Sequence, residues 1–408
     1  MMDVACFFVG CGAVLARSRA RARGSKFPEH LDSVRDIELD GPGAPKRIKY
    51  SIVNDKSRAM LERGLLVVVR SLCDGWEDAH MDNTQITTLQ GGLTNQLYLV
   101  DDGKHEPVLV RIYGQNTEIL IDRKKDTDVF HMLSDRKFGP ELFGLFENGR
   151  VEQYIHSQVL TPPEMGEDKF VPLISRELAR MHSLDLPLNR EPYLFKFLEQ
   201  FDKLSGEVEL EVGSSEQRRL ESLNRGALRK RLKRLETELP SYLNNHGGDF
   251  IKTARSESEK MALEFLFESV YAHNDLLAGN ILYVEKENRV QFIDFEYGKY
   301  NYRGFDIANH FCEYAGFDFN LEKWYPTKAN QIKFVEFYIN ASDAWSKKLA
   351  TCKDQKVFFD TCIQWLDKFI IASHYLWGLW AIIQKKYSPI DFDYLEYAGL
   401  RLNSIALT

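Results

Sequence analysis

The segment VYAHNDLLAGNILYVEKENRVQFIDFEYG, residues 270–298, decides the fold expected for this chain of 408 residues. It alternates apolar runs of β type with groups of polar residues. The tripeptide His-Asn-Asp at 273–275 follows the first run, Asn280 closes the loop after it, and Asp294 and Glu296 follow a later run. The pattern predicts strand, loop, short strand and then a second apolar strand. A short turn between the last two strands should bring Asn280 close to Asp294.

This arrangement suits the transfer of a phosphoryl group. One carboxylate can orient and deprotonate an attacking hydroxyl, while an Asn and a second carboxylate hold Mg²⁺ against phosphates. The spacing is that of the protein-kinase catalytic loop, H-R-D-x-x-x-x-N, followed by D-F-G. A polar turn capped by Asp and Asn side chains would explain a lone D-x-x-x-x-N. It does not explain the I-D-F-E that ends the next strand, so the sequence favours a kinase-type site at Asp275, Asn280 and Asp294.

The residues on either side predict two lobes. Upstream, RAMLERGLLVVVRSLC reads as a helix, TQITTLQGGLTNQLYLV and PVLVRIYG as strands, IDRKKDTDVFHMLSDRKF as a helix, and PELFGLFENGRVEQYI as a hairpin turned at Asn148-Gly149. Downstream the chain becomes mostly helical, and it is almost entirely so from Asn320 on. We therefore expect an α+β, bilobal, protein-kinase-like fold. Its small N-terminal antiparallel-sheet lobe should cover 46–154, and its large helical C-terminal lobe, which carries the kinase-type site, should cover 155–408.

The N-terminal lobe should clamp a nucleotide. The turn in QGGLTNQLYLV contributes backbone N–H groups for phosphates through Gly91, Gly92, Thr94 and Asn95, although a plain hairpin explains it equally well. Arg111 stands where a protein kinase has its phosphate-binding Lys. A carboxylate on the next helix should pair with it, Asp126 in the first place and Asp122 in the second; both could equally be surface charges. A hinge contacting adenine is expected at Gln153 and Tyr154, where an ordinary strand end is the alternative.

Composition limits the partners and the compartment. A net charge of −7, from 53 basic and 60 acidic residues, gives no general attraction to nucleic acid. Six scattered cysteines without a C-x-x-C pair indicate reduced thiols and a cytoplasmic protein. The N-terminal MMDVACFFVGCGAVLA precedes its basic residues, the reverse of a secretory signal, and it is shorter than the roughly 20 residues that span a bilayer. We expect residues 1–45 to form a disordered leader, GPGAPKRIK to be a linker, and no stable membrane insertion.

At these motifs the chain resembles the choline/ethanolamine kinase family, whose fold is that of the aminoglycoside phosphotransferases. The resemblance covers roughly Ala59 to Asn403 and is strongest in FIDFEYGKYNYRGFDIANHFCEYAG; a protein kinase would instead continue D-F-G and an activation loop. It implies that ATP and Mg²⁺ are used, with Asp275 as catalytic base. It also implies that Asn280 and Asp294 are metal ligands, that Glu296 assists a second metal, that Arg111 contacts the phosphates, and that Asp306 braces the loop. Family members are often dimers, so a homodimer is an open expectation.

The resemblance also implies an amine pocket. Trp377, Trp380 and Gln384 share one helix face, and a quaternary ammonium must be held by aromatic faces and diffuse negative charge. An aromatic stripe of this spacing is ordinarily core, but beside kinase motifs we assign it to the pocket. By resemblance the pocket residues are Tyr297, Glu313, Trp377, Trp380 and Tyr397, with Ile390 at the rim.

The two tryptophans favour choline as the substrate, with ethanolamine also accepted, and phosphocholine as the product on the route to phosphatidylcholine. Segments such as HNDLLAGNI and EYAGF resemble the ethanolamine branch, so an ethanolamine kinase that serves phosphatidylethanolamine synthesis is the alternative. Three other classes compete less well. A kinase that acts on an aminoglycoside antibiotic or on a protein lacks sequence support. A pseudokinase should have lost Asp275, Asn280 or Asp294. A membrane-anchored scaffold is suggested by the N-terminal leader alone.

Overall fold

A computed structural model describes residues 37–38, 44–52, 57–89, 95–114, 122–223, 229–230, 233, 254–388 and 390–404. The described residues form two compact units. The N-terminal unit runs to Val159 and also includes Leu282–Asn288, while the C-terminal unit contains Leu160–Ile281 and the residues from Arg289 on. The sequence-based boundary was placed after Tyr154, five residues earlier, and it did not assign Leu282–Asn288 to the N-terminal unit.

The N-terminal unit is built on a seven-stranded sheet in the order β1-β2-β6-β7-β5-β4-β3. Its strands are β1 Ile37–Glu38, β2 Arg47–Ile48, β3 Gln85–Leu89, β4 Asn95–Asp101, β5 Val108–Tyr113, β6 Leu142–Phe146 and β7 Gly149–Gln153. Among the described strands of this sheet, only the β2–β6 pair is parallel; the other pairs are antiparallel. A further short strand, β8 Gln158–Val159, pairs with Leu282 and Tyr283 of β10, which spans Ile281–Val284.

Two helices accompany this sheet, as the sequence predicted: α1 Arg58–Leu72 and α2 Arg123–Asp135. The apolar face of α1, including Leu65, Val68 and Val69, joins one core with sheet residues such as Val110 and Val151. Burial of this face, rather than intrinsic propensity, is the main support of such a helix.

Two details differ from expectation. Arg47–Ile48 was assigned to a linker and residues 37–38 to the leader, yet they pair with each other as strands, and Ile48 is buried. A two-residue strand has no periodicity from which it could be recognised. The β6–β7 turn falls at 147–148 instead of Asn148-Gly149, and Gly149 begins the strand. A Cβ there would lie 2.1 Å from the Arg111 carbonyl oxygen, so close backbone approach explains this glycine.

The C-terminal unit is mainly helical, in agreement with the sequence. Before the catalytic segment come α3 Pro162–Met165, α4 Val171–His182, α5 Leu194–Gly206, α6 Ser215–Ser222 and α7 Glu257–Phe267. Next come β9 Ser269–Ala272, a 3₁₀ turn at Ala278–Asn280, β11 Arg289–Phe292 and β12 Lys299–Tyr302. Along the chain, β10 lies between that turn and β11, but most of it belongs to the N-terminal unit. Strand β12 is followed by α8 Arg303–Glu313, α9 Leu321–Trp324, α10 Lys328–Asn340, α11 Asp343–Ala350, α12 Gln355–Tyr387 and α13 Tyr394–Ser404.

Helix α12, with 33 residues, organises this unit because it packs against α5, α7, α8 and α13. Asp354 caps its first turn by accepting a hydrogen bond from the Val357 N–H. Strand β9 pairs with β12, which brings the start of α8 beside the catalytic loop. None of the helices within the described ranges is both long and apolar enough to cross a bilayer.

Candidate active site

The candidate catalytic loop, residues 273–280, follows β9. The first turn of α8 holds this loop in place. Asn274 has φ 65°, a left-handed conformation that Asn tolerates better than most residues. The Asp306 carboxylate accepts hydrogen bonds from the backbone N–H of His273 at 2.8 Å and of Asn274 at 2.7 Å. The expectation that Asp306 braces the loop is therefore confirmed.

Asp306 is itself held in the charged form. His182 Nε2 donates to it at 2.9 Å, and all of these groups are buried. Burial alone would raise the pKa of Asp306, but the His182 bond and the His273 amide outweigh it, so the pKa lies below its ordinary value. A buried carboxylate with three donors fixes the loop that carries Asp275.

Asn280 connects the end of the loop to Asp275 and to the next strand. Its Nδ2 donates to the Asp275 carbonyl oxygen at 2.8 Å and to carboxylate Oδ2 at 3.4 Å. Its own carbonyl accepts from the N–H of Ile293, the residue before Asp294, at 3.1 Å. The amide orientation directs Oδ1 away from these acceptors, and among the described residues no donor bonds to it. An amide oxygen presented in this way is a suitable ligand for a hard cation.

Carboxylates concentrate around Asp275, which is half-buried. Burial raises the pKa of Asp275 well above its ordinary value, and repulsion from neighbouring carboxylates acts in the same direction. These neighbours, in order of effect, are Glu313, Asp294 and Glu296. Arg401, which pairs with Glu313, acts in the opposite direction but does not outweigh these effects. The remaining negative charge favours a divalent cation or an ammonium group as a counter-charge.

The side chains of Asn280, Asp294 and Glu296 offer oxygen donors, the type of ligand that Mg²⁺ prefers. The described residues contain no group of three or more His, Cys, Asp or Glu side chains arranged to hold a metal. Mg²⁺ typically retains several waters and takes one or two carboxylates together with phosphate oxygens. Asn280, Asp294 and Glu296 offer that kind of partial shell.

Three of the predicted pocket residues form one aromatic cluster. Trp380 Nε1 donates to the Tyr297 hydroxyl at 3.0 Å. The Trp377 ring meets that of Tyr297 edge-to-face at 5.3 Å and that of Trp380 at 5.7 Å. The structure therefore brings Tyr297 together with two tryptophans that follow it by 80 residues or more in sequence. Asp275 contributes to the raised pKa of Tyr297, so the cluster lies within electrostatic range of that carboxylate.

The other two polar pocket residues are joined by a residue that the sequence did not single out, Arg401. This fully buried side chain forms an ion pair with Glu313 and donates from Nε to the Tyr397 hydroxyl at 2.8 Å. Burial disfavours its charge, but Glu313 more than compensates and raises the pKa of Arg401. Its spacing of four residues from Tyr397 in the same helix was the available signal. Ile390 lies in the turn between α12 and α13, where its N–H donates to Ser388 Oγ.

Arg111 is held by Glu152, not by Asp126 as expected. Its Nη2 lies 3.2 Å from Glu152 Oε1, while Asp126 binds Arg150 at 3.1 Å. The expected alternative, Asp122, caps α2. The cause is strand register. Arg111 lies directly opposite Arg150 on the same sheet face, so Glu152, two residues further along β7, reaches both guanidinium groups.

Burial would raise the pKa of Glu152, but the two arginines outweigh it and lower the pKa. The buried carboxylate is therefore charged and fixes the Arg111 guanidinium in place.

The remaining nucleotide residues are only partly described. Asn95 is buried at the start of β4 and lies opposite Tyr113 on β5. Gln153 ends β7, and its Oε1 accepts from the Glu141 N–H, while Tyr154 contacts the His156 ring. Three expected phosphate contacts lie outside the described residues: Gly91, Gly92 and Thr94.

A small sheet-based unit, a large helical unit, and a loop in which Asn280 binds Asp275 are features of a phosphotransferase of the protein-kinase-like class. Residues 86–406 match the family described as choline/ethanolamine kinase. The chain is 34% identical to a probable ethanolamine kinase of Arabidopsis thaliana, with 83% of each protein covered. It is 30% identical to a choline/ethanolamine kinase of Homo sapiens, with 80% of each covered.

A solved ethanolamine kinase of Plasmodium vivax is 25% identical, with a TM-score of 0.68, 86% of this chain and 89% of that one covered. The chain thus belongs to the choline/ethanolamine kinase family, and the resemblance and the bilobal α+β fold inferred from the sequence are confirmed. Among similar proteins the name ethanolamine kinase is more frequent than choline/ethanolamine kinase.

Proposed function

We propose that this chain transfers the γ-phosphoryl group of ATP to the hydroxyl of a small amino alcohol, with ethanolamine preferred and choline also accepted. The observation that carries this proposal is the environment of Asp275. On one side of its loop are the Asn280 amide and the Asp294 carboxylate, and within electrostatic range is the aromatic cluster around Tyr297. A hydroxyl and an ammonium separated by two carbons can be held by such neighbouring groups.

Asp275 is the proposed base. Its raised pKa makes it a better acceptor for the hydroxyl proton than an ordinary exposed carboxylate. The bond from Asn280 Nδ2 and the braced backbone keep the carboxylate in one orientation. Much of the rate enhancement in phosphoryl transfer comes from positioning of this kind.

Asn280, Asp294 and Glu296 are the residues proposed to hold Mg²⁺, which when bound offsets negative charge on the phosphates. Arg111, oriented by Glu152, is proposed to donate to phosphate oxygens, and a planar guanidinium suits them. The adenine contacts at Gln153 and Tyr154 and the backbone contacts at Gly91, Gly92, Thr94 and Asn95 belong to the same proposal.

The sequence favours choline, whereas the proposal takes ethanolamine first because of what each ammonium requires and how the relatives are named. A primary ammonium needs hydrogen-bond acceptors, which the carboxylates near Asp275 supply, and the family relatives are mostly named ethanolamine kinase. Choline is the second candidate because two indoles adjoin Tyr297, Trp377 through an edge-to-face ring contact and Trp380 through a hydrogen bond to the hydroxyl. Indole rings of this kind can bind a quaternary ammonium. The pocket assignments of Glu313, Tyr397 and Ile390 apply to either acceptor.

An ATP-coupled assay on ethanolamine, mono- and dimethylethanolamine and choline tests the substrate preference. We expect kcat/KM to fall as methyl groups are added. A rank order that rises towards choline would replace ethanolamine by choline as the preferred substrate. Absence of turnover on all four acceptors would refute the proposed activity.

A matched pair of variants tests the base. Asp275→Ala should abolish turnover and leave nucleotide binding nearly intact, because the chemistry loses its proton acceptor. Glu285→Ala, at an exposed residue after β10, should keep both. Turnover retained in Asp275→Ala would contradict the assignment of the base.

A further inference from the structure

One face of α8 holds the catalytic loop at three points. Asp306, Asn309 and His310 lie at positions i, i+3 and i+4, hence on the same helix face. Asp306 binds the amides of 273–274, Asn309 Nδ2 donates to the Asn274 carbonyl at 3.1 Å, and His310 Nδ1 donates to the Leu276 carbonyl at 2.9 Å. Of the three, only Asn309 also binds a residue of the proposed amine pocket.

Asn309 joins the loop to that pocket through a single side-chain amide. Its Oδ1 accepts from Trp377 Nε1 at 2.7 Å and from Ser373 Oγ at 2.8 Å. Its Nδ2 meanwhile holds the carbonyl of Asn274, the residue immediately before Asp275. The amide is completely buried, so each of these bonds is costly to leave unmade.

A second set of contacts, through Tyr297, also connects Asn274 to Trp377. Asn274 Nδ2 donates to the Tyr297 carbonyl at 2.9 Å, and the Tyr297 ring packs on Trp377. Four buried residues, Asn309, Asn274, Tyr297 and Trp377, thus form a ring of contacts in which every member touches the next. A closed ring resists changes in the separation between the loop and the indole more strongly than a single bond does.

We infer that Asn309 is a positioning residue that sets the spacing between the base and the amine-binding wall, and thereby selects acceptors with two carbons between oxygen and nitrogen. The inference rests on the proposed function, since it takes Asp275 as base and Trp377 as part of the pocket. It extends that function by assigning the selection of acceptor length to a residue that touches neither reactant.

Three variants separate spacing from general stability. Asn309→Asp keeps an oxygen for Trp377 and Ser373 but sets a second oxygen against the Asn274 carbonyl, so the link to the loop breaks. Trp377→Phe keeps an aromatic ring at this position but removes the Nε1–H group that donates to Asn309 Oδ1. Ser373→Ala is the control, because it removes a bond to the same Oδ1 without touching the loop or the indole.

The measurement is kcat and KM for ethanolamine and for 3-aminopropan-1-ol with the full chain. A displacement of about 1 Å at a reacting group can cost up to about a hundredfold in rate. We therefore expect Asn309→Asp and Trp377→Phe to lower the ethanolamine kcat at least about tenfold while changing the three-carbon rate less. The ratio of the ethanolamine rate to the 3-aminopropan-1-ol rate should therefore fall in both variants. The same ratio should be unchanged in Ser373→Ala.

The outcomes are distinguishable. An unchanged two- to three-carbon ratio in a folded Asn309→Asp variant, or an equal loss in Ser373→Ala, overturns the inference and leaves the proposed function standing. Should urea unfolding show that Asn309→Asp does not fold, the ratio in Trp377→Phe decides in the same way. A wild-type chain that phosphorylates neither amino alcohol would overturn the proposed function and the inference together.

Discussion

Replacing Asp306 by Asn should destabilise the C-terminal unit and slow turnover, although the residue does not belong to the proposed pocket. Oδ2 of Asp306 accepts from both His182 and the His273 amide, while Oδ1 accepts from the Asn274 amide alone. The least costly orientation of the new carboxamide therefore sets its NH₂ group against the Asn274 N–H.

The magnitude follows from that geometry. One hydrogen bond to a charged group is lost, worth about 1.5–3 kcal/mol, and the two that remain lose their charge assistance. We expect a loss of about 2–4 kcal/mol in the free energy of unfolding. The released Asn274 amide precedes Asp275, so kcat should fall about tenfold to a hundredfold.

The assay combines urea unfolding with steady-state kinetics, and Asp343→Asn, an exposed carboxyl in the first turn of α11, serves as the control. Because the folded-state pKa of Asp306 is lowered, its contribution is present above the unfolded pKa of about 3.9 and is lost as pH falls through the lower folded value. The stability gap between wild type and Asp306→Asn should therefore narrow on acidification below about pH 4. A variant with wild-type stability and kcat would refute the bracing role.

Three further outcomes are expected. Glu152→Gln, compared with the exposed Glu147→Gln, should cost the N-terminal unit about 3–5 kcal/mol, because buried guanidinium groups lose their counter-charge, and should raise the KM for ATP; an unchanged urea midpoint and KM would contradict this. Trp380→Ala should raise KM for choline more than for ethanolamine in parallel assays, and equal effects would remove the case for cation–π binding. Gly378→Ala should lower stability by about 1–3 kcal/mol in urea titrations, since its Cβ would lie 2.6 Å from Leu402, and wild-type stability would show that Leu402 can yield.

The elements that sequence predicted well are those with a local period. Helices α1, α2 and α4 and the strand pairs β3–β4 and β6–β7 were evident from apolar spacing. Arg47–Ile48 was missed because two residues carry no period, and its place in the sheet depends on the parallel partner Leu145–Phe146.

The residues of the candidate site likewise fall into those that the sequence could predict and those that it could not. Residues within one segment, such as Asp275 and Asn280, could be assigned from spacing, because the loop between them is short. Partners from different elements could not. Arg111 pairs with Glu152 because the register of two strands places Arg111 opposite Arg150. Arg401 pairs with Glu313, which lies 88 residues earlier in the chain.

By itself the sequence determined the class of enzyme, because the proposed base, Asp275, and the proposed metal ligands, Asn280 and Asp294, lie in one continuous stretch of chain. Only the tertiary structure decided how that stretch is held. Three sets of contacts join residues that are separated by tens of positions. They are the hydrogen bonds from the 273–274 amides to Asp306, those of Asn309 with Asn274 and Trp377, and the Arg401–Glu313 ion pair. Their bonds exist because helix packing removes these groups from water, where each must find a partner within the protein.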